Sequence, residues 1–144
     1  MTQTRGIRNN NPLNIRRSAD RWLGMRSVQT DPQFCQFTSM DYGCRAACRL
    51  LKTYNTKYKC RTLYDIIRRW APPSENNTDT YVKRVCKLTG YSPYQVISYR
   101  DKSYTCFLLW AMAQIECGEV VAMQHFENGY GLAFGRNSEA LSDV

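Results

Sequence analysis

The chain has 144 residues, 43% hydrophobic and 22% charged, which excludes wholesale disorder and fits one domain of about 100–150 residues with its own core. No apolar run approaches the ~20 residues of a membrane-spanning helix, and the opening Met1-Thr2-Gln3-Thr4-Arg5-Gly6 lacks the apolar core of a Sec signal. The 20 Lys and Arg against 12 Asp and Glu give a net charge of +8, so an acidic partner is expected: nucleic acid, anionic lipid or a bacterial wall polymer.

Residues 5–20 are rich in Arg and Asn, contain Pro12, and read as an ordered loop. From Trp22 to Thr38 the mixed pattern around Asp31-Pro32 reads as a short hairpin anchored by Phe34 and Phe37, with Asp31 serving its turn. Ser39 caps the first long helix, and Asp41 suits its positive end. The apolar stripe of that helix is Ala46, Ala47, Leu50, Leu51 and Tyr54, with Arg45, Arg49 and Lys52 largely off it.

Thr62-Leu63-Tyr64-Asp65 is a capping box with Asp in place of Glu. It opens a helix whose apolar face is Leu63, Ile66, Ile67 and Trp70, and Ala71-Pro72-Pro73 ends it. Asn77 or Thr78 caps a third helix with the face Tyr81, Val82, Val85 and Leu88, stopped by Gly90. Ser92-Pro93 predicts a short fourth helix. Ser103 to Cys117 predicts a fifth, apolar nearly all round and therefore buried, with Gly118 as its stop. Phe126 to Phe134 adds a last amphipathic piece. The expected fold class is mainly α, with a small β-hairpin, in a single domain spanning 1–144.

Glu116 is the most informative residue. It ends the most apolar helix in the chain, where burial and the negative end of the helix dipole both raise a carboxyl pKa. A carboxyl kept protonated near neutral pH is what a general acid needs to protonate a glycosidic oxygen. The plainer alternative is an exposed Glu pointing to water. Glu127, near the turn His125-Phe126-Glu127-Asn128-Gly129, is the second candidate, and Glu75 is a supporting or capping carboxylate. A retaining or inverting glycosidase needs a second carboxylate at a set distance. A mechanism assisted by the substrate's own acetamido group does not.

Other chemistries have thin support. His125 is the sole histidine, and there is no Gly-x-Ser-x-Gly, Walker or dinucleotide motif. Cys117 or Cys106 with His125 forms a Cys–His pair only by chance placement. The seven cysteines include no Cys-x-x-Cys, and Cys44 and Cys48 read as packing residues rather than metal ligands. No metal or cofactor is expected. The 10 Tyr, 5 Phe and 3 Trp suit sugar stacking as well as core packing, and Asn9-Asn10-Asn11 with Asn14 suits N-acetyl sugars as well as turns.

The segment Arg5-Gly6-Ile7-Arg8-Asn9-Asn10-Asn11-Pro12-Leu13-Asn14-Ile15-Arg16 resembles the opening of a family of phage and prophage peptidoglycan-degrading proteins. The likeness continues through Trp22-Leu23-Gly24, Gln29-Thr30-Asp31, Phe34, Phe37, Tyr42-Gly43-Cys44-Arg45-Ala46-Ala47 and Trp70-Ala71-Pro72-Pro73-Ser74-Glu75-Asn76-Asn77-Thr78, then Tyr81 and Val82. That family resembles the lysozyme-like superfamily, whose lytic transglycosylases use one Glu at the end of a buried helix. In flagellar glucosaminidase domains that helix precedes a segment akin to Asn11–Arg16. Here Ala111-Met112-Ala113-Gln114-Ile115-Glu116-Cys117-Gly118 is similar to such a helix but follows the segment, which implies a circular permutation. Leu13 stands where relatives tend to carry Gly, and Cys117 where Asn is commoner.

The resemblance implies a lysozyme-like enzyme cleaving the β-1,4 bond between N-acetylmuramic acid and N-acetylglucosamine, as a transglycosylase or a muramidase. Glu116 would be its acid, with Asn11, Asn14, Gln29 and Tyr81 as groove residues. The expected partner is the peptidoglycan glycan strand, not nucleic acid, and the expected state is a monomer. Synthesis in the host cytoplasm and action on the wall after holin release, or as a virion component, would follow. The alternatives are a non-catalytic virion or wall-binding protein on the same scaffold and, third, a nucleic-acid-binding protein.

Overall fold

Four polar side chains start four helices. Ser39, Thr62, Asn77 and Asp101 each accept a hydrogen bond from a backbone N–H three residues on, replacing a partner the first turn lacks. In the computed structural model, which describes residues 3–135, these helices are α2 (Met40–Thr56), α3 (Leu63–Trp70), α4 (Thr78–Thr89) and α5 (Lys102–Cys117). A single turn, α1 (Arg5–Arg8), precedes them and α6 (Met123–Phe134) follows. The Thr62–Asp65 capping box is reciprocal. Gly90 and Gly118 close α4 and α5 at φ 79° and 73°, a region that favours glycine. The protein is mainly helical, and no helix among the described residues is long and apolar enough to cross a membrane.

α5 is the central element. Its Leu108, Leu109, Ala111, Met112 and Ala113 are fully buried, and it packs against α1, α2, α4 and α6. The most extensive helix pair is α2 with α6. There Gly129 brings the α6 backbone onto α2, and a methyl group at this position would sit 2.6 Å from Cys44 Cβ and 2.7 Å from Arg45 N. Arg49, expected off the apolar stripe, is instead buried. Its guanidinium donates to the Ala133 carbonyl at 3.0 Å, where the last turn of α6 leaves acceptors unpaired. Leu88, expected on the buried face of α4, is 37% exposed.

The expected hairpin does not form as regular strands. Among the described residues the extended pairing is limited to isolated antiparallel bridges, Arg16 with Phe34, Met25 with Phe37 and Thr62 with Val96. Amide side chains take the place of a ladder. Gln29 donates to the carbonyls of Arg26 and Gln36 and accepts from Gln36 N. Gln36 in turn donates to Asn9 and accepts from Thr30 N. Asp31 does more than serve a turn: it accepts from Arg5, from Asn9, and from the backbone of Gln33 and Phe34. The helix expected at Ser92-Pro93 is absent as well. The segment forms a turn, then runs beside the start of α3, with Leu63 N donating to Gln95 O and Ile97 N to Arg61 O.

Candidate active site

Glu116 lies in the last turn of α5, and Gly118 turns the chain away immediately after it. Its carboxylate Oε2 accepts from the Tyr81 hydroxyl at 2.9 Å. Tyr81 is placed by the apolar face of α4, which packs on α5, and it is itself buried. Burial pushes the Glu116 carboxyl above its ordinary value, while the Tyr81 hydrogen bond, the Arg16 charge and Asn14 pull the other way. Burial, then the neighbouring Glu116, holds the Tyr81 phenol well above the tyrosine range, so it stays a donor.

Asn14 reaches this site from 102 residues earlier in the chain. Its Nδ2 donates to the Glu116 carbonyl at 2.9 Å. The backbone at Asn14 has φ 49°, a left-handed turn that Asn tolerates better than most residues. The chain entering that turn lies on the end of α5, with Gly6 so close that an added Cβ would sit 2.7 Å from Cys117 Cβ. The side-chain amide oxygen of Asn14 and the indole N–H of Trp22 are buried without a hydrogen-bond partner.

Glu116 opens onto a cleft of about 320 Å³. Its walls include Asn14, Arg16, Trp22, Tyr54, Trp70 and Glu75. Such a cleft falls in the size range of small-ligand sites, about 300–1,000 Å³, and combines aromatic faces with a few convergent polar groups. Glu75 is exposed on its rim, in the turn after Pro72-Pro73. The structure therefore brings Glu116, Asn14, Tyr81 and Glu75 together.

The other sequence candidates lie elsewhere. Asn11 is fully buried and spends its amide on the framework, donating to the carbonyls of Ile15 and Cys35 and accepting from Ile15 N. Gln29 is occupied by the loop pairing described above. Glu127 lines a different cleft, with Asp41, Arg100 and Lys102. His125 pairs with Asp41 at 2.8 Å and not with a cysteine. Cys106 and Cys117 are both buried, and burial raises their thiols, that of Cys106 to about 11.

Sequence reasoning missed the aromatic wall. Tyr54 and Trp70 read as members of apolar helix faces and Trp22 as the start of the mixed segment before the first long helix, and all three are only half-buried. Tyr54 and Trp70 meet edge to face with centroids 5.2 Å apart, which fixes the wall between α2 and α3.

No protein-family model matches the chain. It is 39% identical over 117 residues to Protein P5 of Pseudoalteromonas phage PM2, an alignment covering 79% of this chain and 71% of that protein. The chain belongs to the family of this bacteriophage protein.

Proposed function

We propose that the protein cleaves the glycan strand of bacterial peptidoglycan, on a lysozyme-like and circularly permuted scaffold, with Glu116 as its general acid. The observation that carries this reading is the juxtaposition of Glu116 and Asn14. A carboxyl at the end of a buried helix, with its pKa raised by burial, faces an aromatic-walled cleft. The Asn-rich opening segment sits against the end of that helix although it precedes it by about a hundred residues. That is the spatial arrangement the resemblance implies for a permuted chain.

In this mechanism the protonated Glu116 gives its proton to the bridging glycosidic oxygen as the C1–O4 bond breaks. The substrate's acetamido oxygen stabilises the positive charge developing at C1. The Glu116 carboxylate then takes a proton from an attacking oxygen as the new bond to C1 forms. If that oxygen is the muramyl 6-hydroxyl, the product is a 1,6-anhydro sugar; if it is water, the product is a reducing end. Tyr81 holds the Glu116 carboxyl in place, Asn14 braces the helix end, and Glu75 on the rim is a supporting carboxylate. The net charge of +8 favours the acidic wall. Access to the wall would come through holin release or carriage in a phage particle.

The test is digestion of purified sacculi by the protein and by Glu116→Gln, with products identified by mass spectrometry. Anhydromuropeptides lost in the variant support a transglycosylase, and reducing ends lost in the variant support a muramidase. Activity surviving in Glu116→Gln removes Glu116 as the acid. No product from the folded wild-type protein overturns the enzymatic reading in favour of a non-catalytic wall-binding or virion protein.

A further inference from the structure

A second and larger cleft, of about 1160 Å³, adjoins the Glu116 cleft. The two share Asp20, Trp22, Leu50 and Tyr54 as a common wall. Its character is different. Arg21, Lys57, Lys59, Arg68 and Arg69 all line it and all are exposed, against only Asp20 and Asp65. Asp65 is already committed to the capping box of α3. Among the described residues none of these five cations forms an ion pair. The Arg69 guanidinium lies 3.2 Å from the centre of the Tyr58 ring, and Lys57 Nζ lies 5.3 Å from it, so two of the five cations meet at one aromatic ring. Lys57, then Arg69, pull the Tyr58 phenol below the ordinary tyrosine value, as a local concentration of positive charge should.

We propose that this basic cleft binds the carboxylates of the stem peptides carried by the glycan strand whose sugars occupy the Glu116 cleft. The inference rests on the glycan-cleaving reading above and extends it from the sugar backbone to the peptide. Three features select this occupant over a separate polyanion. The cleft lies directly beside the sugar site, the two sharing Trp22 and Tyr54 in their linings, so a substituent on a bound sugar has it as its nearest neighbouring surface. A stem of four residues spans up to about 14 Å, and the two clefts it would join share four lining residues. Its free α-carboxylates are single negative charges spaced along a short chain, suited to separate Lys and Arg side chains at a solvent-exposed site. The protein therefore prefers strands that keep their peptides, and this preference weakens with salt.

The experiment measures binding with the Glu116→Gln protein, so that no turnover occurs. The probes are soluble uncrosslinked glycan strands bearing stem peptides, and the same strands stripped of peptide by an amidase, each between about 50 and 300 mM salt. Peptide-bearing strands are expected to bind roughly tenfold more tightly at low salt, as three exposed ion pairs together would give, and the advantage should shrink as salt rises. The triple substitution Arg21→Gln, Lys57→Gln, Arg68→Gln should abolish the advantage while leaving the affinity for stripped strands unchanged. That second readout separates a lost contact from a misfolded protein. Equal binding of both strands overturns the inference and leaves the glycan-cleaving reading standing if sacculi are still digested. Binding of neither strand, with no digestion by the wild type, overturns both. If a DNA duplex displaces peptide-bearing strands at equal or lower charge concentration, the cleft belongs to phosphate polymers and the inference fails.

Discussion

Asn11 distinguishes a framework role from a sugar-binding one, and its replacement by alanine separates the two. Its side chain makes three buried hydrogen bonds: Nδ2 to Ile15 O at 3.0 Å, Nδ2 to Cys35 O at 2.9 Å, and Oδ1 from Ile15 N at 2.9 Å. In Asn11→Ala the Ile15 carbonyl keeps a partner, because Cys35 N also donates to it at 3.0 Å. Ile15 N–H and the Cys35 carbonyl are left with none. An orphaned buried group costs about 1–3 kcal/mol, so the expected loss is about 3–5 kcal/mol for the pair and the emptied side-chain space together. With a urea m-value of roughly 1–3 kcal/mol/M, the midpoint of unfolding should fall by about 2 M. The assay is equilibrium urea unfolding followed by circular dichroism, paired with glycan binding measured well below the midpoint. The folded variant should bind glycan as the wild type does. A loss under about 1 kcal/mol together with weakened glycan binding would refute the framework assignment and return Asn11 to the groove.

Other substitutions probe the packing, the acid response and the acid itself. Gly129→Ala forces a methyl into Cys44 and the α2 backbone, so it should cost about 2–4 kcal/mol, read as a lower thermal midpoint with α2 and α6 losing amide protection first. Asp31 is held well below the usual carboxylate range by Arg5 first and by Asn9 and two backbone N–H groups after it, burial opposing them. Its stabilisation is complete above the unfolded Asp value near 3.9 and is lost as pH falls through the folded value, so stability should decline below about pH 4, and Asp31→Asn should flatten that decline. Glu116 shifts in the opposite direction. Its penalty is absent below the unfolded Glu value near 4.3 and grows as pH rises through the folded value, so Glu116→Gln should gain stability over wild type at pH 7 and lose that gain near pH 4. Tyr81→Phe removes a hydrogen bond that favours ionised Glu116, so the alkaline limb of the pH–activity profile should move to higher pH, and an unmoved limb would sever Tyr81 from the acid.

What was legible in the sequence was local. Ser39, the Thr62–Asp65 box and Asn77 announce helix starts because each works within three residues of itself, and Gly90 and Gly118 announce stops for the same reason. The Ser92-Pro93 signal is also local, and there it lost. Backbone bonds from residues 61–63 to residues 95–97 outweigh one turn of helix, and their partners are thirty residues away. Arg49 misled for a related reason. Charge marks a residue as solvent-facing until a helix end elsewhere offers unpaired carbonyls, and only the packing of α2 on α6 brings Ala133 within reach. Asn9, Asn11 and Asp31 read as turn or sugar-binding residues in sequence and are instead buried with Gln36, because amide and carboxylate side chains carry no periodic pattern that betrays burial.

The candidate site was legible to the extent that its chemistry belongs to one helix. Glu116 stands out because a carboxylate at the end of an apolar helix is expensive, and a costly residue invites a reason. Its companions arrive from four other parts of the chain: Asn14 from a left-handed turn near the start, Trp22 from the loop that follows, Tyr54 from α2 and Tyr81 from α4. None is marked by spacing relative to Glu116, since spacing reports only neighbours on the same element. The basic cleft follows the same logic at larger scale. Its cations are scattered through the sequence at 21, 57, 59, 68 and 69, where they read as ordinary solvated charge. The end of α2 and the packing of α3 on it bring together Lys57, Lys59, Arg68 and Arg69, the earlier loop adds Arg21, and Trp22 and Tyr54 are shared with the Glu116 cleft. An uncharged sugar backbone and its anionic substituents would then each meet the surface suited to it, and the net charge of +8 would act at a definite place rather than as a diffuse field.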